Sequence, residues 1–187
     1  MKKLSFLFLF FSIQTLFASE VVDRVVAVVG NEVITLSDVK KVKATKDTDP
    51  LETLIRDKLL HQEIDRMNLN VTDEELAGSI QEVLSRNKVT LDQLKNELIK
   101  KGTSLEDYKK ELSGQIRRMK FMAQVIYPRM KISEGEVSKK MAGLPSNLSK
   151  EEARFRARYK LYEEKSPEEL NKYLDEVRAK TFVEIKQ

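Results

Sequence analysis

The chain has no cysteine, a single histidine and only six glycines in 187 residues. Each shortage excludes something. Without cysteine there is no disulfide and no thiol nucleophile, so stability has to come from packing. His61 is the only histidine, so neither a histidine metal cluster nor a His-based relay can be assembled. It sits mid-helix beside Leu60 and Gln62, the setting of a structural histidine. The scattered glycines form neither a dinucleotide fingerprint nor a phosphate loop. Carboxylates are plentiful, but they fall at helix starts and four residues from lysines, which is the pattern of a solvated face. No catalytic, metal or cofactor site emerges.

Long hydrophobic runs are equally scarce. The first eighteen residues, MKKLSFLFLFFSIQTLFA, start with Lys2 and Lys3, continue apolar and end in small residues around Ala18-Ser19. This is the layout of a cleaved signal peptide, leaving residues 19–187 as the mature domain. The alternative, an uncleaved anchor, fits less well. A spanning helix needs roughly 20 apolar residues, and Ser12, Gln14 and Thr15 interrupt this one. No cysteine follows the cleavage region, which excludes a lipidated N-terminus. The net charge of +4 falls to about +2 once Lys2 and Lys3 are removed. Charge is therefore abundant but balanced, and does not argue for nucleic acid. A mature chain of about 169 residues can bury one core.

What the sequence does have is helix signals. Residues 24–39, RVVAVVGNEVITLSDV, read as a β-hairpin turning at Gly30-Asn31-Glu32, followed by a short helix capped by Ser37 and reaching about Ala44. Pro50 opens a helix to about Met67 with two apolar faces, Leu51, Leu54, Ile55 and Leu59 on one and Leu60, Ile64 and Met67 on the other. Thr72-Asp73-Glu74-Glu75 and Thr90 to Gln93 are capping boxes for two further helices, the second ended by Gly102. A long helix is expected from Ser104 to Tyr127, with Leu105, Tyr108, Leu112, Ile116, Met119, Ala123 and Ile126 in register, Phe121 and Val125 opposite, and Pro128 as its stop. Ser133 opens a short helix carrying Val137, Met141 and Leu144. Ser149 and Ser166 cap two more, and residues 181–186 alternate as a strand. A lone hairpin is marginal in water, and this last run is its one available partner. The expected fold is mainly α, with a small antiparallel sheet built from the N-terminal hairpin (21–29 and 32–36) and the C-terminal strand.

The run Arg154-Phe155-Arg156-Ala157-Arg158-Tyr159-Lys160 interleaves basic and aromatic residues. On a helix, Phe155, Tyr159 and Tyr162 converge on one face and Ala153, Ala157 and Leu161 on another, bracketed by Glu151, Glu152, Glu163 and Glu164. Core packing with a charged border is the expected role, rather than nucleic-acid binding.

Three blocks carry a family resemblance. Val22-Asp23-Arg24-Val25-Val26-Ala27-Val28-Val29-Gly30-Asn31-Glu32-Val33-Ile34, with Ser37-Asp38-Val39 behind it, is the first. Leu54-Ile55-Arg56-Asp57-Lys58-Leu59-Leu60-His61-Gln62, running on to Asn70-Val71-Thr72-Asp73-Glu74-Glu75-Leu76, is the second. Leu174-Asp175-Glu176-Val177-Arg178-Ala179-Lys180-Thr181-Phe182-Val183-Glu184-Ile185 is the third. In this order they resemble the N-terminal chaperone domain of the SurA-type periplasmic chaperones, with a core over 21–142 and closing helices and strand over 149–187. Thr90 to Leu94 and the helix around Arg117-Arg118-Met119 continue the match. Asn68 stands where the family often has glycine. Members commonly carry parvulin-type prolyl isomerase domains before the closing helix. A unit of on the order of 90–100 residues has no room between Lys131 and Ser166, so no enzyme activity is expected.

The resemblance implies an ATP-independent periplasmic chaperone that binds unfolded outer-membrane or secreted polypeptides, with no cofactor, no nucleic-acid partner and no stable membrane insertion. Self-association is left open. The alternatives are a peptidyl-prolyl isomerase relative or an exported adaptor with one fixed partner. Client contact is expected on apolar surface outside the core: Leu60, Ile64 and Met67, Phe121 and Val125, and Met141 and Leu144. A family-like closing helix would cover Phe121 and Val125 instead.

Overall fold

The structure, a computed structural model, describes residues 23–43 and 49–186. The expected signal peptide, the first residues of the hairpin and the polar stretch before Asp49 lie outside the described residues. Strands β1 (Val25–Val29) and β2 (Glu32–Thr35) form the hairpin. Helices α1 (Leu36–Lys41), α2 (Pro50–Arg66), α3 (Asp73–Asn87), α4 (Leu91–Lys100) and α5 (Leu105–Phe121) follow. A π-helical segment, Met122–Ile126, and a 3-10 turn, Tyr127–Arg129, lead to α6 (Glu134–Met141), α7 (Lys150–Arg178) and strand β3 (Val183–Ile185).

The helix starts follow from side-chain chemistry. Hydroxyl caps with a reciprocal acidic or amide partner three residues on open α3 at Thr72, α4 at Thr90, α5 at Ser104, α6 at Ser133 and α7 at Ser149. Asp49 caps α2, with Pro50 in the first turn where its missing N–H costs nothing. The cap of α1 is Thr35 rather than the expected Ser37: Asp38 accepts from the Thr35 N–H and Thr35 Oγ1 accepts from the Asp38 N–H. Ser37 instead donates its N–H to Asp23 Oδ1 at 3.2 Å. At the helix ends, Gly102 and Asn68 both take positive φ, +72° and +48°. Asparagine accepts the left-handed conformation better than most residues, which is why it can stand at the end of α2.

The sheet has the order β2-β1-β3, both pairings antiparallel. Val28 lies opposite Glu184, Gly30 donates to the Phe182 carbonyl at 2.7 Å and Lys186 to the Val26 carbonyl at 2.8 Å. The chain's two ends thus meet in one sheet, as the hairpin's need for a partner requires. Its inner face, Val26, Ala27, Val29 and Ile34, is buried against Ile55, Leu59, Leu60 and Ile64 of α2, with Phe121, Ile126 and Leu174 completing the main core. A second, smaller core joins Val137 of α6 to Ala157 and Leu161 of α7, with Ile132, Met141 and Leu144 at its edge.

Two expectations about helices need correction. Pro167 does not separate two helices; it lies inside α7, which runs unbroken for 29 residues, about 44 Å. The ring deprives the Glu163 carbonyl of its usual donor, but Leu161 on one side is anchored in the second core and Leu174 on the other in the main core. The long helix before Pro128 is regular only to Phe121. Within α5, Phe121 is buried against Tyr173 of α7 while Met119, from the stripe expected inside, is 61% exposed; the π turn follows, and Ile126 at its end is buried.

Removing residues 181–187 should leave β1 with an open edge and its inner face partly uncovered. The expected result is a much lower thermal midpoint and increased binding of a hydrophobic dye. An unchanged melting curve would show that β3 is dispensable.

Candidate functional site

Two polar arrangements fix the frame around the core. The first sits at the hairpin turn. Gln62 of α2 donates to the Val29 carbonyl at 2.9 Å and to Glu32 Oε1 at 3.0 Å, while Lys58 Nζ reaches Glu32 Oε2 at 2.5 Å. Gly30 turns with φ +60°, and a Cβ there would meet the Gln62 amide at 3.0 Å. The turn therefore needs glycine twice over, for its backbone and for the close approach of Gln62. The Lys58 and Gln62 hydrogen bonds hold the Glu32 carboxyl below its usual range.

The second clasps the C-terminal half of α7. The Tyr173 hydroxyl donates to Glu63, its ring meets Phe121 edge-on at 5.7 Å, and Arg129 lies over its face at 5.2 Å. Arg129 also pairs with Glu169 at 3.0 Å and Glu176 at 2.5 Å. On the other side, Arg56 bonds Asp175 at 2.7 Å and Arg178 pairs with Glu52. Arg66 holds Glu63 below its usual value, and Tyr173 helps. Burial, reinforced by Glu63, pushes Tyr173 up to about 12.

The residues expected to contact clients divide in three. Leu60 (2% exposed) and Ile64 (5%) belong to the main core, and their expected exposure is corrected, because α2 uses both of its apolar faces internally. Phe121 (0%) is covered by Tyr173 of the closing helix, the alternative expected for it. Met67 and Val125 are half-buried against that core. Met141 and Leu144 are half-buried at the edge of the second.

Large exposed apolar side chains are scattered over the surface, Ile99 (71%) and Phe182 (63%) among them, and two share one face of α7. Phe155 is 72% exposed and Tyr159 55%, although an aromatic core face was expected there. The face of α7 that packs on α6 is the one with Ala157, fully buried, and Leu161. A small residue at the crossing lets the helix axes approach, which a phenyl ring would prevent. The aromatics are left on the other side. Tyr162 stacks on Tyr127 at 4.8 Å, and Tyr159 and Phe155 continue along α7 from that stack. On α5 and the π segment, exposed Met119 and Ala123 lead up to Tyr127. Glu163 raises the Tyr159 hydroxyl and Arg86 of α3 opposes it, so the end of α3 lies within electrostatic reach of this strip. The i, i+4 spacing of Phe155 and Tyr159 was the available signal, and its sense was inverted. No group of three or more His, Asp or Glu among the described residues could hold a metal ion.

Residues 43–125 match the family model described as the SurA N-terminal domain. Over that stretch the chain is similar to the SurA N-terminal domain. A protein named Chaperone SurA from Bordetella avium is 34% identical, the match covering 62% of this chain and 26% of that protein. Another from Pectobacterium atrosepticum is 29% identical over 73% of this chain and 33% of its own length. The chain thus spans about a quarter to a third of the length of the curated relatives it matches. In fold it is similar to a solved SurA-like chaperone structure from Campylobacter jejuni, with a TM-score of 0.63 over 88% of this chain and 100% of that one, at 16% identity. Within the SurA N-terminal match lie α2 through α5 and most of the π segment, including Gln62, Glu63 and Phe121; the three strands and α7 lie outside it.

The clasp has a pH signature at both ends. Glu63, depressed in the fold, contributes stability that is present above its unfolded value near 4.5 and lost as pH falls through its folded value. Tyr173, raised in the fold, contributes stability that is present below about 10 and lost as pH rises toward 12. Replacing Tyr173 with Phe should flatten the alkaline limb of a thermal-midpoint profile between pH 9 and 12 relative to the parent. Parallel profiles for the two proteins would refute the assignment.

Proposed function

We propose that the protein is an ATP-independent periplasmic chaperone that holds unfolded outer-membrane or secreted polypeptides. The carrying observation is the aromatic strip on α7: two large side chains left in water beside a stacked tyrosine pair, in a chain whose matched domain is shared with proteins named Chaperone SurA. Isolated exposed apolar residues need no explanation, but a contiguous run of aromatics along one helix face does. Such a strip binds extended apolar segments weakly and without sequence selection. The charged residues around it keep a loaded complex in solution. Met67, Val125, Met141 and Leu144, each with some surface left, extend the proposed contact region.

Export rests on the first eighteen residues. No helix among the described residues is long and apolar enough to cross a membrane. Hydrophobic holding needs no nucleotide and no catalytic group. Purified protein should therefore leave the cis/trans rate of a proline peptide at its uncatalysed value, tens to hundreds of seconds at 25 °C. A concentration-dependent acceleration would favour the isomerase alternative.

Substitution separates surface from core. Phe155→Ser with Tyr159→Ser should reduce suppression of client aggregation while leaving the melting temperature nearly unchanged. Ile64→Ser should instead destabilise by at least the roughly 2–5 kcal/mol of a large-to-small core change. If the Phe155/Tyr159 pair of changes leaves holding intact, the strip is not the client surface. Pull-downs that recover one partner rather than many unfolded chains would favour the fixed-partner adaptor.

A further inference from the structure

The second core leaves an open cleft of about 520 Å³ between α6 and the N-terminal half of α7. Its floor is apolar, made by Leu144 and Leu161, and Gly143 places no side chain across its mouth. Four lysines, Lys139, Lys140, Lys160 and Lys165, line it against two glutamates, Glu136 and Glu164. Both glutamates are engaged. Lys140 Nζ donates to both oxygens of Glu164 at 2.6 Å. Glu136 accepts from Lys165 and from the N–H and hydroxyl of Ser133, at 2.9 Å each, which holds its carboxyl at about 2. Among the described residues Lys139 and Lys160 have no ion-pair partner, so the cleft keeps two uncompensated ammonium groups above an apolar floor.

We infer that this cleft binds the C-terminus of an extended polypeptide, with an apolar last side chain on Leu144 and Leu161 and the terminal carboxylate held by Lys139 and Lys160. The reasoning is complementarity of charge and polarity. An internal apolar segment would fill the floor but leave both ammonium groups unanswered. A bare anion would satisfy the lysines but gain nothing from the floor. A chain terminus ending in an apolar residue offers both features, since its last residue carries the side chain and the carboxylate together. Charge-assisted hydrogen bonds to a carboxylate are also the strong ones. The inference rests on the polypeptide-binding reading and adds to it a preference for free ends over internal segments.

The test uses the full chain and a fluorescently labelled decapeptide ending in Leu-Phe, as the free acid and as the C-terminal amide, followed by anisotropy. The acid should bind about tenfold more tightly, the step expected from one charge-assisted hydrogen bond. The double change Lys139→Gln and Lys160→Gln, at exposed positions that do not support the core, should bring the acid down to the amide's affinity and leave the amide unchanged. Leu144→Ser should weaken both peptides. Equal binding of acid and amide, or a preference that survives loss of both lysines, overturns the inference. So does decanoate binding in the cleft where the peptide acid does not, which would make it a fatty-acid site. An aggregation assay on the same samples keeps the two readings apart. Holding without a terminus preference removes only the inference, whereas a terminus preference without holding removes only the chaperone reading.

Discussion

The pairing of β3 with β1 is the constraint on which the rest of the molecule depends. β1 and β2 alone make a two-stranded ribbon, and such a ribbon has too little buried surface to persist in water. β3 adds an edge, and the hydrogen bonds from Gly30 to Phe182 and from Lys186 to Val26 pin its register. For β3 to arrive there, α7 must return from the far end of the molecule along α2. The Phe121–Tyr173 contact and the paired ions of Arg56 and Arg129 are what direct it. Gln62 then secures the same turn from the opposite side. Sheet, α2 and the second half of α7 are thus mutually dependent, and the burial of Val29, Ile55 and Phe121 requires all three.

The second core relates to the first through one element that is part of both. Leu161 and Leu174 are thirteen residues apart on α7 and belong to different cores. Pro167 between them would favour a break in an isolated peptide. Tertiary anchoring at both ends overrides this local preference. The geometry has a consequence for the surface. Because α6 approaches α7 over Ala157, its bulk lies on the side away from Phe155 and Tyr159, and those aromatics are left to solvent. The exposed strip is therefore produced by the same packing choice that builds the second core.

Much of the fold was legible because it was encoded locally. The hydroxyl caps and their partners three residues on marked the starts of α3 to α7, and Gly102 and Asn68 marked ends, since these signals act within one turn. The sheet was legible by elimination, from the hairpin's need and the single remaining alternating run. Three features were not. Thr35 has Asp38 three residues on whereas Ser37 has Lys40, so the reciprocal cap belongs to Thr35, a distinction that the adjacent Ser37-Asp38 pair hid. Met119 and Phe121 both lie in α5, and a projection at 100° per residue separates their faces without showing that α7 covers the one with Phe121. For Phe155, helical periodicity correctly found two faces but cannot say which one a neighbouring helix will choose. That choice depends on how closely two axes can approach, and it went to alanine.

The abundance of charge has a consequence for the surface. Surface ion pairs of the kind found along α3, α4 and α5 each contribute little to stability. Their greater effect is on what the surface will tolerate. An aromatic strip bordered by Glu151, Glu152, Arg156, Arg158 and Glu163 presents apolar area to an extended segment that threads between the charges. It presents a poor face to a second folded copy, which would have to bury those charges unpaired. Mixed charge at the border therefore selects for narrow, flexible ligands over broad, rigid ones. A surface built this way suits the proposed holding of unfolded chains, because burial of apolar area in a narrow contact requires no nucleotide.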